Sequence, residues 1–270
     1  MEDRMDLKLD GKRALIAGGS MGIGKAVAGL LAEEGAHVAI VGRDAARARA
    51  VAEDIAARHR VTAIASPCDT GQDASVSAMG RDVADRLGGI DIVVNCAAEP
   101  AGQARPPSTS ELDHAYLDRH MNVKVMGYLR VAQAAMPHMV RQGWGRIISV
   151  SGTGMYRPGD TAGAIRNAGV VAMSKNLAHD LAGTGVTTSV VHPGMTRTEK
   201  VDAMLQARAE AAGHGFEDEL DLLAKATLNG VLPDAMDMAR IIAFLASPLS
   251  SAINGEVITA TGGRPGVITY

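Results

Sequence analysis

The amino-acid sequence predicts an α/β fold, a doubly wound, seven-stranded, mostly parallel sheet with helices on both faces. Three observations carry that prediction. Short β-rich apolar runs alternate with longer segments of helical spacing along nearly the whole chain. The runs are continuously apolar, which suits parallel strands covered on both sides. The first run ends in a glycine cluster that opens a helix, as the nucleotide-binding turn of a Rossmann-type sheet does.

The strands are RALIAGG, HVAIVG, TAIASPCD, IDIVVNCA, RIISVS and TTSVVHPG, with EVITATGG as a seventh. GIGKAVAGLLAEEG, DAARARAVAEDIAARH, DASVSAMGRDVADRLGG and ELDHAYLDRHMNVKVMGYLRVAQAAMPHMV read as the helices between them. Ser110, placed before Asp113, predicts a capping box at the start of the last one. No repeat or low-complexity linker interrupts the pattern, so residues 1–270 are expected to form one dinucleotide-binding domain. The rhythm breaks at about residues 195–233, a charged and partly helical insertion after the sixth strand. Ligands bind beyond the carboxyl ends of strands in such sheets, so this insertion is expected to be a substrate lid rather than a plain surface excursion.

Composition narrows the function. A hydrophobic share of 47% and a charged share of 21% describe an ordinary globular chain. A net charge of −3 without a basic run gives nucleic acid or an anionic membrane no electrostatic footprint. One tryptophan, four tyrosines and two phenylalanines are too few for base-stacking platforms. The amino-terminal stretch has no apolar run of signal-peptide length, and a cytoplasmic location is expected by default. Cys68 and Cys96 each close a predicted strand and read as buried reduced thiols. None of the histidines forms a metal-binding spacing.

At the cofactor end, Gly18-Gly19-Ser20-Met21-Gly22-Ile23-Gly24 joins the first strand to the first helix. Its glycines permit a tight turn and a close approach of backbone to pyrophosphate, while the helix start offers free N–H groups. At the tip of the second strand stands Gly42, followed by Arg43, where an acidic residue would hold a ribose hydroxyl. The guanidinium suits a 2′-phosphate, which favours NADP(H) and leaves NAD(H) possible. Asp44 reads as the next helix's N-cap.

With these pieces in place, the chain resembles the short-chain dehydrogenase/reductase superfamily over nearly its whole length. AGGSMGIG is similar to its T-G-x-x-x-G-I-G, with Ala17 in place of threonine. NCAA, from Asn95 through Ala97 to Ala98, is similar to its N-N-A-G strand end, and HPGMTRT to its P-G-x-x-x-T. The resemblance implies that Asp69 touches the adenine and that Pro193, Gly194 and Thr198 hold the nicotinamide amide. It also implies a small-molecule substrate and assembly into a homodimer or homotetramer.

The superfamily's chemistry rests on an Asn-Ser-Tyr-Lys tetrad, and by resemblance all four positions have changed. AGVVAMSKNLAHDL aligns with the helix that begins at the usual lysine, which puts Asn167 at the lysine and Gly163 at the tyrosine. GRIISVSG puts Gly152 at the serine, with Ser151 just before it, and Gly127 sets a register in which Lys124 replaces the asparagine. No misalignment rescues the tetrad, since the residues four after Tyr116, Tyr128 and Tyr156 are His120, Ala132 and Asp160, and Tyr270 ends the chain.

Other residues are therefore candidates for the acid–base work. Lys124 faces, on the family pattern, the pocket that lost its lysine; desolvated, it would have a depressed pKa and act as acid or ribose clamp. The plain reading is a solvated charge. Tyr156, in SGTGMYRPGD, is the tyrosine nearest the site, an acid candidate or simply a rim residue, and Ser151 is the remaining hydroxyl. Arg166 and Asp160 border the region and would bind a charged substrate or pair with each other, with structural roles the plainer reading. His192 reads as a packed strand-end histidine. The lid and the glycine- and alanine-rich wall DTAGAIRNAG are expected to leave room for a substrate bulkier than a small alcohol, with Gly163 and Asn167 opening space in the pocket. Three functions stay open: an NADP(H)-dependent oxidoreductase with a rewired acid–base site, a non-catalytic NADP-binding partner or sensor, and a non-redox lyase or isomerase.

Overall fold

Each of the seven β-rich runs forms a strand in the computed structural model, which describes residues 5–98, 106–156 and 158–265. The strands are β1 (Arg13–Ala17), β2 (His37–Gly42), β3 (Ala63–Pro67), β4 (Ile92–Asn95), β5 (Gly145–Val150), β6 (Val186–Pro193) and β7 (Glu256–Ala260). They form one sheet in the order β3-β2-β1-β4-β5-β6-β7, and every pairing is parallel. The expected "mostly parallel" sheet is thus wholly parallel. Chain order reverses between β1 and β4, and a crevice opens at such a switch point beyond the strand ends.

Neighbouring residues on a strand point to opposite faces, and each face carries its own core. On one face Ile16 and Ile40 pack with Val27 and Leu31 of α1 (Gly22–Glu33), Ile55 of α2 (Ala45–Arg58) and Ile242 of α9 (Ala235–Ala246). On the other, Leu15, Val93 and Ile147 pack with Met79 of α3 (Asp73–Leu87), Met139 of α5 (Gly127–Gln142) and Leu177 of α6 (Thr161–Asp180). Each large side chain so buried stabilises the fold by about 1.5–3 kcal/mol.

The long central helix departs from the expectation in two ways. It starts at His114, and its N-cap is Asp113, whose carboxylate accepts the Ala115 N–H at 3.3 Å. The predicted box at Ser110 does not form: a turn occupies 109–111, and Glu111 is drawn back to the Ser108 hydroxyl at 2.7 Å. Second, α4 (His114–His120) passes through a π-helical segment, Met121–Met126, before continuing as α5. A π turn takes in one residue more than an α turn and so changes which residues face α6 downstream.

The insertion after β6 leaves and returns at one point. Arg197 and Asp234 form a parallel bridge, with the Arg197 N–H donating to Pro233 O at 2.8 Å and the Ala235 N–H to Arg197 O at 3.1 Å. Between them lie α7 (Glu199–Ala212), which buries Leu205 and Ala209, and α8 (Phe216–Ala224), which buries none of its residues.

Gly24 lets α1 pack on the turn that precedes it. A Cβ there would lie 2.8 Å from the carbonyl carbon of Gly18 and closer still to its oxygen, whereas Gly29 in the same helix has open space around it. Gly24→Ala is expected to lower stability by about 1–3 kcal/mol in urea unfolding. Gly29→Ala should be neutral or raise it by up to about 1 kcal/mol.

Candidate active site

A cleft of about 400 Å³ opens at the switch point. Its wall includes the turn from Gly18 through Ser20, Met21, Gly22 and Ile23 to Gly24, together with Arg43, Asp69, Ala97 and Thr198. Gly18 has φ +80, and a Cβ on it would lie 2.7 Å from Ala97 N. Gly22 has φ +52, and a Cβ on it would reach toward the Thr198 methyl at 3.5 Å. Glycine at these two positions keeps the cradle open, as a pyrophosphate requires. Met21, the N-cap of α1, makes no side-chain capping bond. The Gly22 N–H is instead met by Glu199 Oε2 at 3.2 Å.

Of the other expected cofactor residues, Asn95, Pro193 and Gly194 lie apart from this cleft wall. Asn95 is wholly buried in register with Ser149, its Nδ2 3.5 Å from Ser149 Oγ and its Oδ1 without a partner. Pro193 ends β6, and the Gly194 N–H donates to Ala260 O at 3.1 Å. Thr198 caps α7 by accepting the Val201 N–H at 3.4 Å. Asp44 caps α2, as expected, by accepting the Arg47 N–H at 2.9 Å.

Sequence reasoning missed Arg47, Cys96, Glu199 and Lys200, which also line the cleft. Arg47 lies in the first turn of α2, just beyond the predicted N-cap Asp44, a placement that would have revealed it as a second cation at the mouth. Both cysteines are free thiols; Cys68 is buried and Cys96 partly so, with burial pushing the Cys96 thiol up to about 12.

Behind the cleft, the π segment of the central helix delivers Lys124 to the end of β5. The amine is buried, donating at 3.0 Å to Asn167 Oδ1 on α6 and at 3.0 Å to the backbone oxygen of Ser151. Burial, and next the charge of Arg166, lower its pKa from 10.5 to about 7. The solvated-charge reading of this lysine is therefore excluded. The Ser151 hydroxyl turns away and donates to Asn167 O at 3.0 Å.

The surrounding groups are placed with equal definition. Asp160 caps α6 by accepting the Gly163 N–H at 2.8 Å, and its carboxylate fills the place a Cβ on Gly163 would take. The space expected at Gly163 is thus occupied. A Cβ on Gly152 would lie 3.2 Å from Asn167 Nδ2. His192 is fully buried, accepts the Gly152 N–H at 3.2 Å on Nδ1, and is kept neutral by burial and the Lys124 charge, its pKa lowered to about 4. The Tyr156 ring meets it edge-on at 5.7 Å and is otherwise 40% exposed. Arg166 pairs not with Asp160 but with His120, Nη1 to Nδ1 at 2.6 Å. No group of carboxylates, histidines or cysteines that would hold a metal occurs among the described residues. Nor does a helix long and apolar enough to cross a membrane.

Comparison with known proteins places this geometry. Residues 17–264 match the family described as Enoyl-(Acyl carrier protein) reductase. The chain is 30% identical to the 3-oxoacyl-(acyl-carrier-protein) reductase FabG of Aquifex aeolicus, over 96% of this chain and 99% of that one. It is 34% identical to a short-chain dehydrogenase of Burkholderia cenocepacia solved in complex with NADP, covering 95% of this chain and 98% of that one at a TM-score of 0.78. L-sorbose reductase of Gluconobacter frateurii, solved with NADPH and L-sorbose, superposes with a TM-score of 0.90 over 98% of this chain and 100% of its own, at 24% identity. That last likeness speaks to the fold alone.

A lysine whose pKa falls on folding holds fewer protons in the native than in the unfolded chain between about pH 7 and 10.5. Stability therefore rises with pH across that window, by up to about 1.4 kcal/mol per pH unit. Urea unfolding of wild type and Lys124→Met across this range should show the difference between them growing by that slope. Below about pH 7 the difference should be flat.

Proposed function

The chain belongs to the short-chain dehydrogenase/reductase superfamily, and on that premise we propose that it is an oxidoreductase whose acid–base group is Lys124. The substrate in this reading is a carbonyl, an alcohol or an enone. The cofactor is NADP(H), in keeping with the NADP carried by a 34%-identical relative and with the two arginines at the cleft mouth. Arg43 and Arg47 are placed to meet the 2′-phosphate, and the glycine turn before α1 the pyrophosphate. When bound, NADP(H) supplies or accepts the hydride.

The observation that carries the proposal is the buried Lys124 amine held between Asn167 and the Ser151 carbonyl. An ammonium has three hydrogens, and these two acceptors take two of them. The third is free to pass to a substrate oxygen as the carbonyl is reduced, and the neutral amine takes a proton back in the oxidative direction. A pKa of about 7 suits both directions near neutral pH. Asn167, standing where the superfamily keeps its lysine, fixes the amine that replaces it. Ser151 positions Lys124 through its backbone oxygen, and Tyr156 is the second acid candidate, at the rim beside His192. Residues 195–233 are read as a lid over the substrate within a single dinucleotide-binding domain. A homodimer or homotetramer is the proposed assembly.

Stereospecific transfer of deuterium from labelled NADPH to a carbonyl or enone is the expected result, and its absence across a broad panel would leave a non-catalytic binding protein or a non-redox lyase or isomerase. Lys124→Met should lower kcat/KM by about 10²–10⁴-fold and remove the inflection near pH 7, with Tyr156→Phe doing far less. Replacing Arg43 and Arg47 together by alanine should weaken NADP binding by about 10- to 100-fold and leave NAD binding nearly unchanged in equilibrium titration.

A further inference from the structure

Arg166 is 6% exposed, and among the described residues its one hydrogen-bonding partner is the His120 ring, 2.6 Å from Nη1. Its Nε is buried and has no partner among the described residues. A buried guanidinium is costly unless its donors are met, so an arginine kept for structure alone is expected to be fully bonded.

Two other arginines of this molecule use the Nε that Arg166 leaves unmet. Arg146, 4% exposed, gives Nε to Ser247 O at 3.2 Å and Nη1 to Gly145 O at 2.9 Å, and lies over the Trp144 ring at 4.7 Å. Arg13 grips Asp91 with its Nε–Nη2 edge, 2.6 Å to Oδ2 and 2.7 Å to Oδ1. That edge presents two parallel N–H groups at the spacing of a carboxylate. In Arg166 the same edge has no acceptor, although the other side of the group is fixed by His120. His120 is in turn seated on the Tyr116 ring, with centroids 4.3 Å apart.

The location is as informative as the vacancy. Arg166 adjoins Asn167 on α6, and its charge bears on the Lys124 amine. Two basic side chains are therefore buried side by side. No carboxylate is ion-paired to either one among the described residues, and the nearby Asp160 is committed to capping α6. An anion entering this region would offset the charge that the two side chains bring into it.

We propose that the Nε–Nη2 edge of Arg166 binds a free carboxylate of the substrate, which makes the substrate an oxo acid or the corresponding hydroxy acid. This deepens the oxidoreductase reading and rests on it for the carbonyl, though not for the carboxylate. His120 is the positioning residue that holds the fork. Lys124 serves the reacting oxygen while Arg166 anchors the far end, so the distance between them selects the chain length.

Calorimetric titration of the NADP-loaded protein with 2-, 4- and 5-oxohexanoate and their methyl esters tests this. At least one acid should bind about 10- to 100-fold more tightly than its ester. Arg166→Met should bring that ratio close to one, and Arg166→Lys, a point charge without a fork, should leave it reduced. The proposal is overturned if wild type prefers none of the acids, or if the ratio is undiminished in Arg166→Met. Should the methionine variant fail to fold, an undiminished ratio in Arg166→Lys overturns it equally. Deuterium transfer measured on the same compounds separates the two readings. Preferred acids that receive no deuterium keep the carboxylate site and overturn hydride transfer. Acids and esters that bind alike yet receive deuterium do the reverse.

Discussion

Burying the Lys124 amine is the constraint around which this site is arranged. An amine removed from water stays in place only if its hydrogens find acceptors, and here they come from two different elements, the Asn167 side chain on α6 and the backbone at the end of β5. The π segment of the central helix serves the same end, since it is within that segment that Lys124 is brought to face α6. Asn167 supplies one of the acceptors that the buried amine needs. An ammonium in its place would face another ammonium, and the two would repel at close range in a medium of low dielectric. The amine at 124 and the amide at 167 are thus matched to each other.

The same reasoning accounts for the neighbourhood. His192 beside the amine is held neutral, and the Cys96 thiol is kept protonated. Neither competes for the proton near neutral pH, the range to which burial brings the Lys124 amine. Asp160, the nearby carboxylate on α6, is withdrawn into a cap and fills the gap beside Gly163. A free carboxylate in reach of the amine would have raised its pKa and spoiled it as a donor at neutral pH.

Much of this was legible in the sequence where the cause is local. Apolar continuity gave all seven strands, and the turn from Gly18 to Gly24 announced its own geometry, because a positive φ or a close backbone approach selects glycine within a few residues. Lys124 was singled out by register with Gly127. What was not legible depends on contacts far apart in the chain. The Arg166–His120 bond joins residues 46 positions apart, and nothing in either local stretch specifies it. The π turn is a choice between hydrogen-bond patterns that packing against α6 decides. Asn95, Pro193 and Gly194 show the opposite limit: motifs placed them at strand ends correctly, yet β-sheet register buries Asn95 against Ser149 and ties Gly194 to β7.

One contact at the mouth of the cleft bears on how the protein takes up its cofactor. Glu199, the first residue of α7, rests its carboxylate on the Gly22 N–H, at the start of α1. An N–H has one hydrogen to give. Any phosphate that settles there exchanges with an anion the chain already carries, so the measured affinity is a difference between two anions rather than the filling of a void. The evicted carboxylate belongs to the insertion, whose α7 start stays held by the Thr198 cap and the Arg197–Asp234 bridge. At that hydrogen, a phosphate in the glycine turn and the Glu199 contact from α7 exclude one another.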